Sequence, residues 1–381
     1  MKTFQPYAAM PFYPGPVSVH PAVASVLARD YAPPRMGEEY LELYRSVCTR
    51  LQGLLGTKED VLLGTGEGML VLWGALKSLL KPGDVVLSVG TGVFGDGFGD
   101  MAEILGCKAV KVSEPYDTTI TASTLEKVRE AIRIHRPVLM TAVHCETPSG
   151  TLNPLEELGR IKHEMGVPFF VVDAVASAGG APVHADAWHA DCVLGGSQKC
   201  LSCPPDMSFM SVSKAAWERI REVGYAGYDA VRPFERAMED VMTHPYTPNW
   251  WGVAALDAGI RVLEEEGLEN VFARHEAVAR QCRDGLAEIG IRLWTAPEAV
   301  NSPHCHGRPH PGRLDVARLA QGPCRRRPCR GRKPRPAGWQ GVPPRSHGNA
   351  GRCRAHGHGA GYPEEDPVAL NSFPLIHTGP G

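Results

Sequence analysis

No apolar run in this chain approaches the roughly 20 residues that crossing a bilayer requires. Net charge is nearly absent too. Forty Lys and Arg stand against 42 Asp and Glu, a formal charge of −2. No global positive field therefore points to nucleic acid. The opening stretch MKTFQPYAAMPFYPGP is broken by prolines and makes a poor secretory signal. Cytoplasm is the expected compartment, with no membrane and no nucleic acid as partner. In that setting the 11 cysteines read as thiols rather than a disulfide framework. What remains is 381 residues at 43% hydrophobic, enough for one large domain and a smaller one.

From about Val61 to Val212 short apolar runs alternate with helical patterns. VVLSV (85–89), KAVKV (108–112), PVLMTAV (137–143), PFFVVD (168–173), CVLGG (192–196) and MSFMSV (207–212) read as buried strands. TLEKVREAIRI and PLEELGRIKHEMG between them are amphipathic. Alternation of this kind predicts an α/β fold with a mostly parallel sheet covered on both faces. Ligands of such sheets bind beyond the strand carboxyl ends. The segment 250–290 is strongly helical, and IRLWTA after it reads as a strand of a smaller domain.

After Pro303 the composition changes. HCHGRPHPGRLDVARLAQGPCRRRPCRGRKPRPAGWQG is rich in Arg, Pro, Gly, His and Cys, with few aliphatics and no period. It reads as an out-of-frame or disordered tail. Cys324, Cys329, Cys353, His356 and His358 fit no standard zinc spacing, so no metal is expected. The genetic code supports the frame reading. Read one base later, the codons of Gly341 to Asn349 permit V-F-R-L-G-H-M-G-M. Those of Ser302 to Arg308 permit P-T-V-T-A and an aliphatic.

The chemistry concentrates in GGSQKCLSCPP (195–205) and VVDAVASAGG (171–180). A lysine amine can form a Schiff base with a carbonyl. A pyridoxal ring also needs an acid to keep its nitrogen protonated. Asp173 closes a strand, and Lys199 follows the next one. Taken singly, such a lysine is usually a solvated charge and such an aspartate a helix cap. Spacing and neighbours give the pair its weight.

These two stretches resemble the class V aminotransferases of fold type I. The nearest branch is that of alanine–glyoxylate, serine–pyruvate and pyridoxamine–pyruvate aminotransferases. Also similar are PGPVSVHPAV (14–23), GTGEGMLVLWGAL (64–76), GTGVFGDGF (90–98), HCETPSGTLNP (144–154) and YTP (246–248). The shifted text FRLGHMG resembles the family's C-terminal motif.

The resemblance implies the fold: a pyridoxal-phosphate transferase of type I, with a large sheet domain and a smaller C-terminal α+β domain. The expected segments are 1–20 at the substrate entrance, 21–250 as the large domain, 251–303 as bridging helix and start of the small domain, and 304–381 as the tail. It also implies roles. Lys199 would join the aldehyde of pyridoxal 5′-phosphate and move the proton. Asp173 would pair with the pyridine nitrogen. Val175 and Phe94 would take the two ring faces, and Thr147 the 3-oxygen. Gln198 and the Gly66–Gly68 turn would meet the phosphate, and Thr247 would reach the partner's phosphate in a homodimer. The amino donor and a 2-oxo acid, pyruvate or glyoxylate, would be the small-molecule partners.

Glu67 departs from the pattern, because the family's turn commonly carries no acid there and a carboxylate repels a phosphate. The pyridoxamine–pyruvate branch has a glutamate at this place. The alternative is therefore that no cofactor is retained and unphosphorylated pyridoxal or pyridoxamine is a substrate. Against it, Glu67 could point away on its helix's first turn. A β-lyase or desulfurase using Cys200 or Cys203, and a non-catalytic remnant with a basic tail, are the remaining alternatives. The family's carboxylate-binding arginine would be that of the shifted FRLG. It is absent from the chain as written.

Overall fold

The computed structural model describes residues 14–31 and 38–304. Leu139–Val143, Cys192–Gly196 and Met207–Val212 are buried at every position. A strand reaches that state only when both faces of its sheet are covered, and the element order supplies the cover. Helices α1 (Pro21–Leu27) and α2 (Glu38–Leu55) come first, then β1 (Asp60–Thr65) and α3 (Gly68–Leu79). Next are β2 (Val85–Gly90), α4 (Val93–Ile104), β3 (Lys108–Ser113), α5 (Ala122–His135) and β4 (Leu139–Val143). A short hairpin, β5 (Cys145–Glu146) with β6 (Thr151–Leu152), leads to α6 (Glu156–Glu164) and β7 (Phe169–Asp173). The chain continues through β8 (Cys192–Gly196), β9 (Met207–Val212), α7 (Lys214–Val223), α8 (Trp250–Glu266) and α9 (Leu268–Glu288).

Seven strands form one sheet in the order β1-β9-β8-β7-β4-β2-β3. Only β9 is antiparallel to its neighbours, pairing Leu194 with Met210 on one side and Leu62 with Met210 on the other. The parallel registers run Val86 to Ala109, Leu87 to Met140, Thr141 to Val171 and Val172 to Val193. The α/β fold with a mostly parallel sheet is therefore present. Each strand expected between residues 85 and 212 forms, and β1 joins them at the sheet's edge.

Local chemistry sets the helix ends. Thr121 and Thr124 make a reciprocal capping box at the start of α5. Ser213 accepts from the Ala216 N–H to open α7, and Gly224 closes it in the left-handed region. The helical stretch after residue 250 is two helices, because Gly267 at φ 84° breaks it. Among the described residues IRLWTA (291–296) forms no strand beyond a single bridge position at Leu293, and its Ala296 N–H donates to the Asp117 carbonyl at 2.8 Å. Apart from His304, the expected out-of-frame tail lies outside the described residues. No described helix is long and apolar enough to cross a membrane.

Helix α8 lies directly under the loop that follows β8. Gly259 lets it approach: a Cβ there would sit 2.6 Å from the Leu201 carbonyl oxygen and 2.8 Å from Cys203 Sγ. Gly259→Ala should therefore destabilise the chain by about 2 kcal/mol despite alanine's better helix propensity. Urea unfolding monitored by circular dichroism checks this. An unchanged midpoint would contradict the tight contact.

Candidate active site

All sheet strands except β9 point one way, so β1, β2, β3, β4, β7 and β8 open their carboxyl ends on one edge. Asp173 ends β7 and is only 6% exposed. Its Oδ1 accepts the Val175 N–H at 2.7 Å. Burial pushes its carboxyl up to about 6; the Val175 N–H and the Lys199 charge oppose that rise, and Glu67 adds to it.

Lys199 stands just beyond β8 on a tightly tied loop. The Ser197 N–H donates to the Met207 carbonyl at 3.0 Å, and the Ser202 N–H to the Lys199 carbonyl at 2.9 Å. Ser202 takes φ 53° to complete that turn. The N-terminal segment docks on the loop. The Val17 N–H donates to the Gln198 carbonyl at 3.0 Å, and Lys199 Nζ donates to the Pro14 carbonyl at 3.0 Å. At Gly15 a Cβ would come 2.8 Å from Lys199 Cδ, so only glycine fits this approach. The PGP turn thus meets the lysine directly.

The far end of the group gathers around α3. A Cβ on Gly68 would fall 2.8 Å from both Val175 methyls. Gln198 is 5% exposed; its Oε1 has no hydrogen-bond partner among the described residues, and its Nε2 lies 3.4 Å from Glu67 Oε2. Glu67 is the N-cap residue of α3 and makes no side-chain cap bond there. It does not point away; its carboxylate faces Gln198. The Gly66 N–H donates to the Asp206 carbonyl at 2.8 Å, with Gly66 at φ 133°.

Asp173, Val175, Gln198, Lys199, Glu67 and Gly68 are thus one group, with Gly66 in the turn beside it. Phe94 is half-buried in the first turn of α4, on the same edge. Thr147 is half-buried at the β5–β6 turn, which the Gly150 N–H closes on the Glu146 carbonyl at 2.9 Å. Thr247 is exposed and is not brought into the group. The Tyr246 hydroxyl beside it accepts the Thr65 N–H at 3.0 Å and ties this segment to the end of β1.

Three buried polar residues of the edge were not singled out from the sequence. Glu146, fully buried, accepts the Gly95 N–H at 2.7 Å and the Phe94 N–H at 3.3 Å. Burial pushes its carboxyl up to about 7. Asn153 Nδ2 donates to Thr91 Oγ1 at 2.7 Å and to the Val143 carbonyl at 2.9 Å, joining the ends of β2 and β4. His144 contacts Ser177 Oγ through Nδ1 at 2.9 Å, and burial drives it down to about 3, so it stays neutral. All three lie inside HCETPSGTLNP, and the signal was a run of polar residues directly after a buried strand.

The family model described as aminotransferase class-V matches residues 34–306. This chain belongs to the class V aminotransferases. A pyridoxamine–pyruvate transaminase of Mesorhizobium japonicum is 31% identical over 81% of this chain and 78% of its own. An alanine–glyoxylate aminotransferase of Oryctolagus cuniculus is 30% identical over 76% of this chain and 74% of its own. The solved pyridoxamine–pyruvate aminotransferase of Mesorhizobium loti aligns at TM-score 0.73 and 30% identity, covering 78% of this chain and 77% of that one. The family match ends at residue 306, beside the change in composition.

Pyridoxal-phosphate-dependent amino transfer, from an amino donor to a keto acid, is the chemistry of this family. The ring end of the site fits that group: a buried acid, a branched side chain and a lysine amine stand together. The phosphate end fits less well. The Gln198 amide nitrogen and the α3 N-terminus already stand against the Glu67 carboxylate.

Asp173 supplies a pH test of this aminotransferase in its unliganded state. Its folded value of about 6 lies above the ordinary 3.8. The folded chain therefore holds a proton that the unfolded chain has already lost. Stability from this group is present at low pH and is lost as pH rises through about 6. Asp173→Asn should match wild type near pH 4 and exceed it near pH 7, by about 3 kcal/mol at most. Thermal melts across that range check the sign; a variant less stable at pH 7 would reverse it.

Proposed function

We propose that this aminotransferase moves an amino group from a small amine or amino acid to pyruvate or glyoxylate, with Lys199 as the reacting amine and Asp173 as its partner acid. The observation that carries the reading is the placement of Lys199 within reach of the buried Asp173 charge, on the edge where six strands running one way end. When bound, pyridoxal phosphate supplies an aldehyde for the amino group and a cationic ring that draws electrons from the donor's α-carbon. Lys199 Nζ would be the amine that condenses with that aldehyde, releasing water, and the base that moves a proton on the substrate side. Asp173 would hold the ring nitrogen's proton. Val175 and Phe94 would pack the ring, one on each face. The Thr147 hydroxyl would meet the 3-oxygen. Gln198 and the N–H groups of the Gly66–Gly68 turn would hold the phosphate. Thr247, exposed on the single chain, reaches the phosphate of a second copy in a homodimer. The cytoplasm is the compartment this reading assigns.

Two thiols near the lysine do not favour a desulfurase. Cys203 is buried, its Sγ 3.2 Å from the Ala255 carbonyl oxygen, and burial pushes its thiol up to about 12. Cys200 Sγ is 3.5 Å from the Ala176 carbonyl.

One observation favours a second reading, in which unphosphorylated pyridoxamine is the amino donor. Glu67 sits against Gln198 at the end where a phosphate would lie. A carboxylate there accepts a hydrogen bond from a neutral hydroxymethyl group and repels a dianion. Titrating the chain with pyridoxal phosphate and with pyridoxal separates the two, followed by an absorbance band that Lys199→Ala abolishes. Tighter phosphate binding that survives dialysis supports the first reading; tighter pyridoxal binding lost on dialysis supports the second. In either case Glu67→Gln should strengthen phosphate binding about tenfold.

The substrate carboxylate calls for a bidentate arginine, and the shifted frame holds the candidate. We expect the chain as written to bind the ring but turn over slowly. Resequencing codons 295 to 350 decides the frame. A gene restored to the shifted frame should gain about a hundredfold in kcat/KM with pyruvate. No gain would place the clamp elsewhere.

A further inference from the structure

Helix α4 begins without a side-chain cap. Its N-cap is Gly92, which offers no oxygen to the first-turn N–H groups. Those groups are satisfied from the distant hairpin β5–β6. Glu146 Oε1 accepts the Gly95 N–H at 2.7 Å, and Oε2 accepts the Phe94 N–H at 3.3 Å. The carboxylate is fully buried between two glycines that leave it room. A Cβ on Gly92 would fall 2.4 Å from Glu146 Cδ, and one on Gly95 3.1 Å from Oε1.

A serine at the N-cap position would satisfy these groups at far lower desolvation cost. The chain instead buries an acid on the reacting edge, next to Thr147 and beside the residue that carries a ring. We infer that Glu146 is the positioning residue for Phe94, fixing the first turn of α4 and with it the place of the aromatic ring over the bound pyridine. The inference rests on the proposed role of Phe94.

Three groups on other parts of the edge face this carboxyl. Asp173 at the end of β7 and Asp96 on α4 push it up, adding to its burial. Tyr116, beyond β3, donates to Asp96 Oδ2 at 2.8 Å. As an anion, Glu146 accepts both backbone bonds. Protonated, it turns a donor toward one of two N–H groups, and the hold on the helix end weakens. The ring's affinity should therefore fall as pH drops through about 7. In Glu146→Gln that step disappears, while the separate step of Asp173 near 6 persists.

The deciding experiment is a double-mutant cycle on the full chain, reading the Kd for pyridoxal phosphate from the Lys199-dependent absorbance band. Phe94→Ala and Glu146→Gln should each weaken binding about tenfold, and the double variant no more than Phe94→Ala alone. A double variant weakened by the product, about a hundredfold, overturns the inference and leaves the role of Phe94 standing. A Phe94→Ala chain with unchanged Kd overturns both. If Glu146→Gln does not fold, Gly92→Ala displaces the same carboxylate from the other side. It enters the same cycle with the same expected and overturning results. A merely structural Glu146 would shift the melting temperature without coupling to Phe94.

Discussion

A carboxylate buried at the end of a central strand must be compensated, and Asp173 is that carboxylate. Water is excluded from it by the neighbouring strands and the loop after β8. Its compensation is one backbone N–H and the nearby Lys199 charge. Much of the edge is arranged around this need. The lysine loop is tied down so that its cation stays close. The N-terminal turn covers the lysine and occupies its donor with the Pro14 carbonyl. A cation such as a protonated pyridine nitrogen would complete the balance.

The same edge carries more negative charge than a phosphate site would suggest. Asp173 pushes Glu146 up, and Glu67 pushes Asp173 up. Glu67 and Glu146 both stand at helix N-termini, where the macrodipole favours an anion. Glu146 spends that advantage on holding α4. Glu67 places its carboxylate at the start of α3, the position that otherwise attracts a phosphate. The balance between the α3 N-terminus and Glu67 therefore decides what the far end of the ring can carry.

The strand runs and the two short motifs made most of this legible. VVDAVASAGG and GGSQKCLSCPP named the acid and the lysine because a parallel sheet sends the ends of neighbouring strands to one edge. Gly68 and Val175 also meet, a glycine being needed where two segments nearly touch. Glu146 was not legible as part of the site, although it precedes Thr147 in the chain. Its partners, Phe94 and Gly95, are far away in sequence, and no local pattern records such a bond. The direction of the Glu67 side chain was open for the same reason. IRLWTA shows only one bridge position among the described residues, since a strand needs a paired neighbour that β propensity alone does not supply.

The sequence by itself determined the family, the sheet, the placing of Lys199 and Asp173 at the ends of neighbouring strands, and the break in composition after Pro303. These depend on residue type and on spacing along one stretch of chain, where periodicity and motif are recorded directly. Only the tertiary structure decided that Glu67 faces Gln198, that Pro14 meets the lysine, and that Glu146 holds the start of α4. Each of these is a contact between segments brought together by the sheet. Its existence depends on the angles at which distant elements pack, and those are fixed by the whole core rather than by any one segment.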